Sequence, residues 1–220
     1  MTSFAGQRTR MVERQLRRRE ITDERVLAAM GEVPRELFVP AAMKAHAYDD
    51  AALSIGSAQT ISQPWIVAAI CQALELHGHE TVLEVGGGSG YSAAILARLA
   101  ARVISIELVA DLAAEAQRVL ALAGVPPERV EVIVADGSRG WAPGTPYEAI
   151  AVHAAAPGPP LSLLGQLADG GRLVAPVGGG KHEVLTLFRR DPGAPEGCRS
   201  EPIAPCRFVP LLGAEGFAAD

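Results

Sequence analysis

The sequence predicts an α/β protein, a doubly wound, mostly parallel seven-stranded sheet with an N-terminal helical segment. Three observations carry that expectation. Residues 81–85 (TVLEV), 102–107 (RVISIE), 130–136 (VEVIVAD), 147–152 (YEAIAV) and 171–177 (GRLVAPV) are short, rich in β-branched residues and almost continuously apolar, as strands covered on both faces are. Helix-like segments alternate with them, which favours parallel pairing through crossovers. The first of these strands runs directly into Gly86-Gly87-Gly88-Ser89-Gly90, a turn that opens a helix.

In chain order, residues 9–45 read as helical, with Met11, Leu16, Val26, Leu27 and Met30 apolar and Thr22-Asp23-Glu24 as a start signal. Pro34 and Pro40 then break the pattern. A helical stripe follows over 66–76, from Ile66, Val67, Ile70 and Leu74. Just before it, QTISQPWIVAA places Gln59, Thr60, Ser62 and Gln63 at the mouth of an apolar segment. Ser62 or Thr60 is a candidate N-cap there, with Pro64 at the first helical position. Further helices are expected at 91–99, 109–123 and 161–167. Residues 183–190 and 206–212 supply the two far-edge strands, and the Pro- and Gly-rich stretch between them reads as a surface loop or hairpin connection. The chain is expected to form a single domain over 1–220. Residues 1–76 form its helical part, 77–180 its cofactor-binding core and 181–220 its C-terminal strands and loop.

With 220 residues, 49% hydrophobic and 20% charged, the chain can bury one sizeable core. A net charge of −5 argues against a nucleic-acid surface. Arg8, Arg10, Arg14, Arg17, Arg18 and Arg19 are interleaved with Glu13, Glu20, Asp23 and Glu24, the mixed signs of a solvated helix face. Cys71, Cys198 and Cys206 fit neither a disulfide framework nor a zinc spacing, which suggests reduced thiols in a cytoplasmic protein. No leader or membrane span is expected, since no apolar run approaches the required length. His77 and His79 alone make a poor metal site, so none is expected. The expected state is a monomer.

The glycine turn needs further residues to say which ligand it serves. Gly88-Ser89-Gly90-Tyr91-Ser92-Ala93 fits a loose dinucleotide pattern, while a P-loop is excluded because no Gly-Lys-Ser/Thr follows. Glu84, two residues before Gly86, would repel a pyrophosphate but suits the ammonium of an amino-acid-like ligand. Glu107 closes the second of these strands, where a carboxylate can take the hydroxyls of a ribose. Asp136 and Gly137 close the third and are placed to bracket an adenine amino group. A ligand with an ammonium, a ribose and an adenine but no phosphate is S-adenosyl-L-methionine, whose product after methyl transfer is S-adenosyl-L-homocysteine.

The N-terminal MVERQLRRREITDERVLAAMGEVPRELFVP, then QTISQPWIVA, VLEVGGGSGYSAA, ADGSRGW, HAAAPGPPLSLLGQLADGGRLVAPVG and the closing RFVPLLGAEGF span most of the chain. Together they resemble the protein-L-isoaspartate (D-aspartate) O-methyltransferases. The resemblance implies a Rossmann-like class I methyltransferase fold that methylates the free carboxylate of L-isoaspartyl residues in damaged proteins and peptides. It implies catalytic roles for Ser62 and Thr60. Gln59, Gly86, Gly88, Ser89, Leu108 and Gly137 would join Glu84, Glu107 and Asp136 around the cofactor. Ala58, Ile61, Ala155, Val209 and Pro210 would face substrate.

Three residues depart from the family pattern. Ala58 stands where glycine is usual, Gly87 where threonine is usual, and His153 where threonine or glycine is common. His153 is either an ordinary loop residue or a substrate contact. Two alternatives keep a methyltransferase scaffold, namely esterification of ordinary Asp in a dedicated peptide and a non-catalytic binding module. A nicotinamide oxidoreductase is disfavoured by Glu84.

Overall fold

The computed structural model describes residues 3–179, 182–194 and 197–218. The N-terminal part is a series of short pieces in place of the long helix expected over 9–45. Helix α1 (Phe4–Met11) runs on through a widened turn and a tight one, and Glu20, at φ 66°, ends it. Helix α2 (Glu24–Glu32) begins at Asp23, whose carboxylate accepts from the N–H groups of Arg25 and Val26, as the start signal suggested. After Pro34 and Pro40 only tight 3-10 turns form, because a fixed proline φ and the missing N–H prevent a continuous ladder. The arginine-rich face is partly paired. Arg17 meets Glu24 at 2.5 Å and Glu13 at 3.5 Å, and Arg19 meets Asp50 at 3.1 Å.

Next comes a hairpin that the hydrophobic pattern did not reveal, β1 (Leu53–Gly56) with β2 (Gln59–Ile61). Its two loop residues, Ser57 and Ala58, lie at φ 50° and 55°. Two left-handed central residues give the turn that matches strand twist, but neither residue is glycine. Helix α3 (Pro64–Ala73) starts with Pro64, and Gln63 precedes it without a side-chain cap. The capping role considered for Ser62 and Thr60 is therefore corrected. The helix begins one residue too late for Ser62 to cap it, and Thr60 is engaged in β2.

The main sheet contains β3 (Thr81–Val85), β4 (Arg102–Glu107), β5 (Val130–Val134), β6 (Tyr147–Val152), β7 (Leu167–Gly179), β8 (His182–Arg190) and β9 (Cys198–Cys206), in spatial order β5-β4-β3-β6-β7-β8-β9. The pairs among β3 to β7 are parallel, while β8 and β9 run antiparallel. Crossovers carry α4 (Tyr91–Leu99), α5 (Ala110–Leu122) and the four-residue α6 (Leu161–Leu164). The last strand lies earlier than expected. It falls within the Pro- and Gly-rich stretch, and 207–212 runs on as extended chain with isolated bridges from Pro210 to Ala155 and from Leu212 to Phe217. Pro202 and Pro205 are tolerated in β9 because it is an edge strand.

Alternate strand residues enter two cores. Val82, Val103, Ala151 and Val174 pack against the N-terminal part, α3, α4 and α5. Leu83, Ile104, Ile150 and Leu173 face α6 and Leu211. Burial on both sides explains why these strands lack polar alternation, and each fully buried aliphatic side chain contributes roughly 1.5–3 kcal/mol. Cys71, Cys198 and Cys206 are free thiols, and no helix among the described residues is long and apolar enough to cross a membrane.

Because αL geometry strains an alanine by about 1–2 kcal/mol, Ala58→Gly should stabilise the fold. Glycine's larger unfolded-state entropy offsets part of the gain, leaving up to about 1 kcal/mol measurable by urea unfolding.

Candidate active site

Strand order reverses at β3, so a crevice opens above the carboxyl ends of β3, β4 and β6, the usual ligand position in such sheets. A cavity of about 870 Å³, counting its open mouth, occupies it, within the range of small-molecule and cofactor sites. The glycine turn forms its floor. The N–H groups of Gly86 and Gly87 both donate to the Ile106 carbonyl, at 2.9 and 3.1 Å, which pins the turn to β4. Gly86 has φ +84° and Gly88 φ +52°, a path that disfavours any side chain.

Glu107 is held at both oxygens. Gly88 N–H donates to Oε2 at 2.8 Å and Val109 N–H to Oε1 at 2.9 Å. The residue is 7% exposed and lies on the cavity wall, so each oxygen keeps a lone pair for a ligand hydroxyl. Ser89, Leu108 and Gly137 complete that side.

The opposite wall is the hairpin and its exit, Gln59, Thr60, Ile61 and Ser62, closed by Val209 and Pro210. The hydroxyls of Thr60 and Ser62 make no hydrogen bond to the described protein. Arg35 positions this wall from below. Its side chain is fully buried, Nε donates to the Ala47 carbonyl at 2.8 Å, and Nη2 donates to the Ser62 carbonyl at 2.8 Å. The guanidinium lies 4.8 Å over the Tyr91 ring. Burial pulls its pKa down, and burial pushes the Tyr91 phenol up to about 12. The only sequence signal for this role is an arginine among Val33, Pro34, Leu37 and Phe38.

The remaining expected residues lie off the wall. Glu84 is completely buried behind it, with Oε2 accepting the Ser105 hydroxyl at 2.5 Å. Asp136 fastens the C-terminal turn, accepting from Ser138 N–H at 2.9 Å and Ala214 N–H at 2.8 Å. Burial opposes its ionisation, but these donors outweigh it and hold the carboxyl below its ordinary range. Ala155 exchanges backbone hydrogen bonds with Val209 and Leu211, which draws the C-terminal chain over the cavity. Ala58 sits at the exposed hairpin tip. His153 and Ser92 are on the wall as well. Ser92 lies one residue into the helix opened by the glycine turn, and that position was its only signal.

A second cleft adjoins the first and shares Thr60, Ser62, His153 and Val209 with it. Its outer end carries Arg19, stacked 4.8 Å over Trp65, together with Asp50 and the exposed Arg207.

A sheet of this order, with a glycine turn and a strand-end carboxylate meeting over one cavity, defines a class I methyltransferase. Residues 7–216 match the family model described as protein-L-isoaspartate(D-aspartate) O-methyltransferase, and the chain belongs to that family. It is 52% identical over 218 residues to a protein-L-isoaspartate O-methyltransferase 1 from Rhodopseudomonas palustris, covering 99% of this chain and 88% of the relative. It is 49% identical over 214 residues to the protein-L-isoaspartate O-methyltransferase of Methanoculleus marisnigri, covering 97% and 95%. A solved protein-L-isoaspartate O-methyltransferase superposes with a TM-score of 0.83 at 25% identity, over 95% of this chain and 67% of that one. A Plasmodium falciparum structure in complex with S-adenosyl-L-homocysteine shares the fold, with a TM-score of 0.78 at 23% identity, over 93% and 98%.

A Cβ on Gly87 would lie 2.3 Å from Ser105 Oγ. Gly87→Ala should therefore displace the hydroxyl from Glu84 and destabilise by roughly 1–3 kcal/mol. In a Ser105→Ala background the same change should cost well under half of that, a coupling that denaturant unfolding of the double-mutant cycle measures.

Proposed function

We infer that this chain transfers a methyl group from S-adenosyl-L-methionine to the free carboxylate of L-isoaspartyl residues in damaged proteins and peptides. The observation that carries the reading is the pair of unpartnered hydroxyls, Thr60 and Ser62, on the wall shared by the two cavities. The first cavity fits the methyl donor. Glu107 offers ribose acceptors, the glycine turn leaves room for close approach, and no lysine or arginine lines the wall to await a phosphate. Gln59, Gly86, Gly88, Ser89, Leu108 and Gly137 would hold the donor together with Glu107. Glu84 and Asp136 would act from behind the wall. When bound, the donor supplies a methyl group on a sulfonium.

The chain's own task is alignment and exclusion of water. An isoaspartyl carboxylate is ionised near neutral pH, since such groups titrate near pH 4, so no strong general base is needed. Thr60 and Ser62 donate hydrogen bonds that orient it without the quenching effect of a lysine or arginine. Ile61, with Val209 and Pro210, borders the approach and keeps water out, which aids in-line attack. Ala155 supports that border by holding the 209–211 chain, and Ala58 lies at the hairpin tip, where the peptide chain would pass. The methyl ester formed gives up methoxide far more readily than a carboxylate gives up oxide. The neighbouring backbone nitrogen then closes a succinimide with loss of methanol, and hydrolysis returns part of it to normal aspartate.

The finer reading is a cytoplasmic monomer of one catalytic unit that needs neither nucleic acid nor membrane. A net charge of −5 and three free thiols support it.

Tritiated methyl from S-adenosyl-L-methionine should label an isoaspartyl peptide and leave its aspartyl counterpart unlabelled, and equal labelling of both would overturn the substrate assignment. Ser62→Ala should lower methyl transfer by about tenfold, the value of one lost hydrogen bond to a charged group. Affinity for S-adenosyl-L-homocysteine by calorimetry should stay within about twofold.

A further inference from the structure

His153 follows the last residue of β6, beside β3 in the sheet, and its N–H donates to the Val85 carbonyl at 2.8 Å, which fixes its backbone. Its side chain is only 7% exposed, yet it lines both cavities. Nε2 lies 2.8 Å from Ser92 Oγ and 3.4 Å from Glu84 Oε1. That oxygen is buried and has no hydrogen-bond partner, while Nδ1 makes no hydrogen bond to the described residues.

A fully buried carboxylate with one unpaired oxygen calls for a positive neighbour, and His153 is the basic side chain next to it. The charged groups around the ring are Glu84 from β3, Glu107 across the first cavity, and Arg19, Asp50 and Arg207 in the outer cleft. Ser92 of α4 contributes a neutral hydroxyl. On the inner side the nearest charge is Glu84, with Glu107 on the far wall of the cavity.

We propose that His153 and Glu84 form an imidazolium–carboxylate pair whose free Nδ1–H holds one oxygen of the substrate carboxylate beside Thr60 and Ser62. The proposal rests on the isoaspartyl reading above and adds a substrate-binding residue to it. Because the pair is neutral as a unit, it offers a directional donor without the net charge that would blunt the nucleophile. His153 transfers no proton. The substrate oxygen forms the new bond to the methyl carbon as the carbon–sulfur bond breaks, and the electron pair returns to sulfur.

The test uses the full chain, S-adenosyl-L-methionine and an isoaspartyl peptide. His153→Leu should raise KM for the peptide about tenfold or more, the value of a hydrogen bond to a charged group. His153→Asn, which keeps an N–H near the Nδ1 position, should raise KM less than about threefold. Both should bind S-adenosyl-L-homocysteine within about twofold of wild type. Nitrogen-15 NMR of the histidine ring, which needs no turnover, should show both nitrogens protonated in the wild type at neutral pH. Wild-type KM in His153→Leu, equal weakening of S-adenosyl-L-homocysteine, or a neutral ring at neutral pH would overturn the pair. No labelling of the isoaspartyl peptide by the wild type would instead overturn the parent reading.

Discussion

Strand β3 has parallel neighbours on both sides, and the chain reaches them by leaving in opposite directions, to β4 and β5 on one flank and to β6 and β7 on the other. That reversal separates the crossovers and leaves a crevice that no helix fills. The ladder continues past the strand ends. Gly86 and Gly87 bond to Ile106, and His153 bonds to Val85. The glycine turn and His153 are thereby held to sheet precision, as a binding wall requires. Glu107 gains its orientation from the same place, since one of its two donors belongs to the turn and the other to the start of α5.

The opposite wall depends on Arg35. A buried guanidinium with a carboxylate partner would be a conventional ion pair. Here the acceptors are two backbone carbonyls and the charge rests on the face of Tyr91, with Nη1 left unpartnered. Such a contact gains from desolvation, and it ties three separated segments together. Ala47 precedes the hairpin, Ser62 follows it, and Tyr91 opens the helix beneath the cavity. The polar Thr60–Ser62 stretch can thus leave its hydroxyls unpaired at the site, because its position is fixed through the Ser62 carbonyl.

The strands were legible because burial on both faces gives apolar runs that few other structures produce, and helix 91–99 was legible from the glycine turn and its apolar stripe. Glu107 was legible for the same reason, as an acid at a strand end. The β1–β2 hairpin was not. Its strands are three and four residues long, and Ser57-Ala58 is a poor left-handed turn sequence, so no local signal marked it. Strand β9 was masked by its own prolines, which an edge position tolerates. The C-terminal turn held by Asp136 depends on a contact with Ala214, 78 residues away, and no periodicity reports that.

Gly87 and His153 belong to one physical unit around Glu84. With glycine at 87 there is space for the Ser105 hydroxyl, which a Cβ would strike at 2.3 Å, and that hydroxyl satisfies Oε2. On the other side, His153 stands 3.4 Å from Oε1. Threonine at 87 is incompatible with this placement of Ser105, and a Glu84 without Ser105 would bury two unpaired oxygens where it now buries one. Gly87 and His153 therefore meet through the acid between them, even though 66 residues separate them in the chain. Ala58 stands apart, since its φ of 55° is a local strain in an exposed turn with no contact to that unit. The crevice thus keeps its form around one buried charge, because Gly87 leaves room for the hydroxyl that satisfies one oxygen and His153 flanks the other.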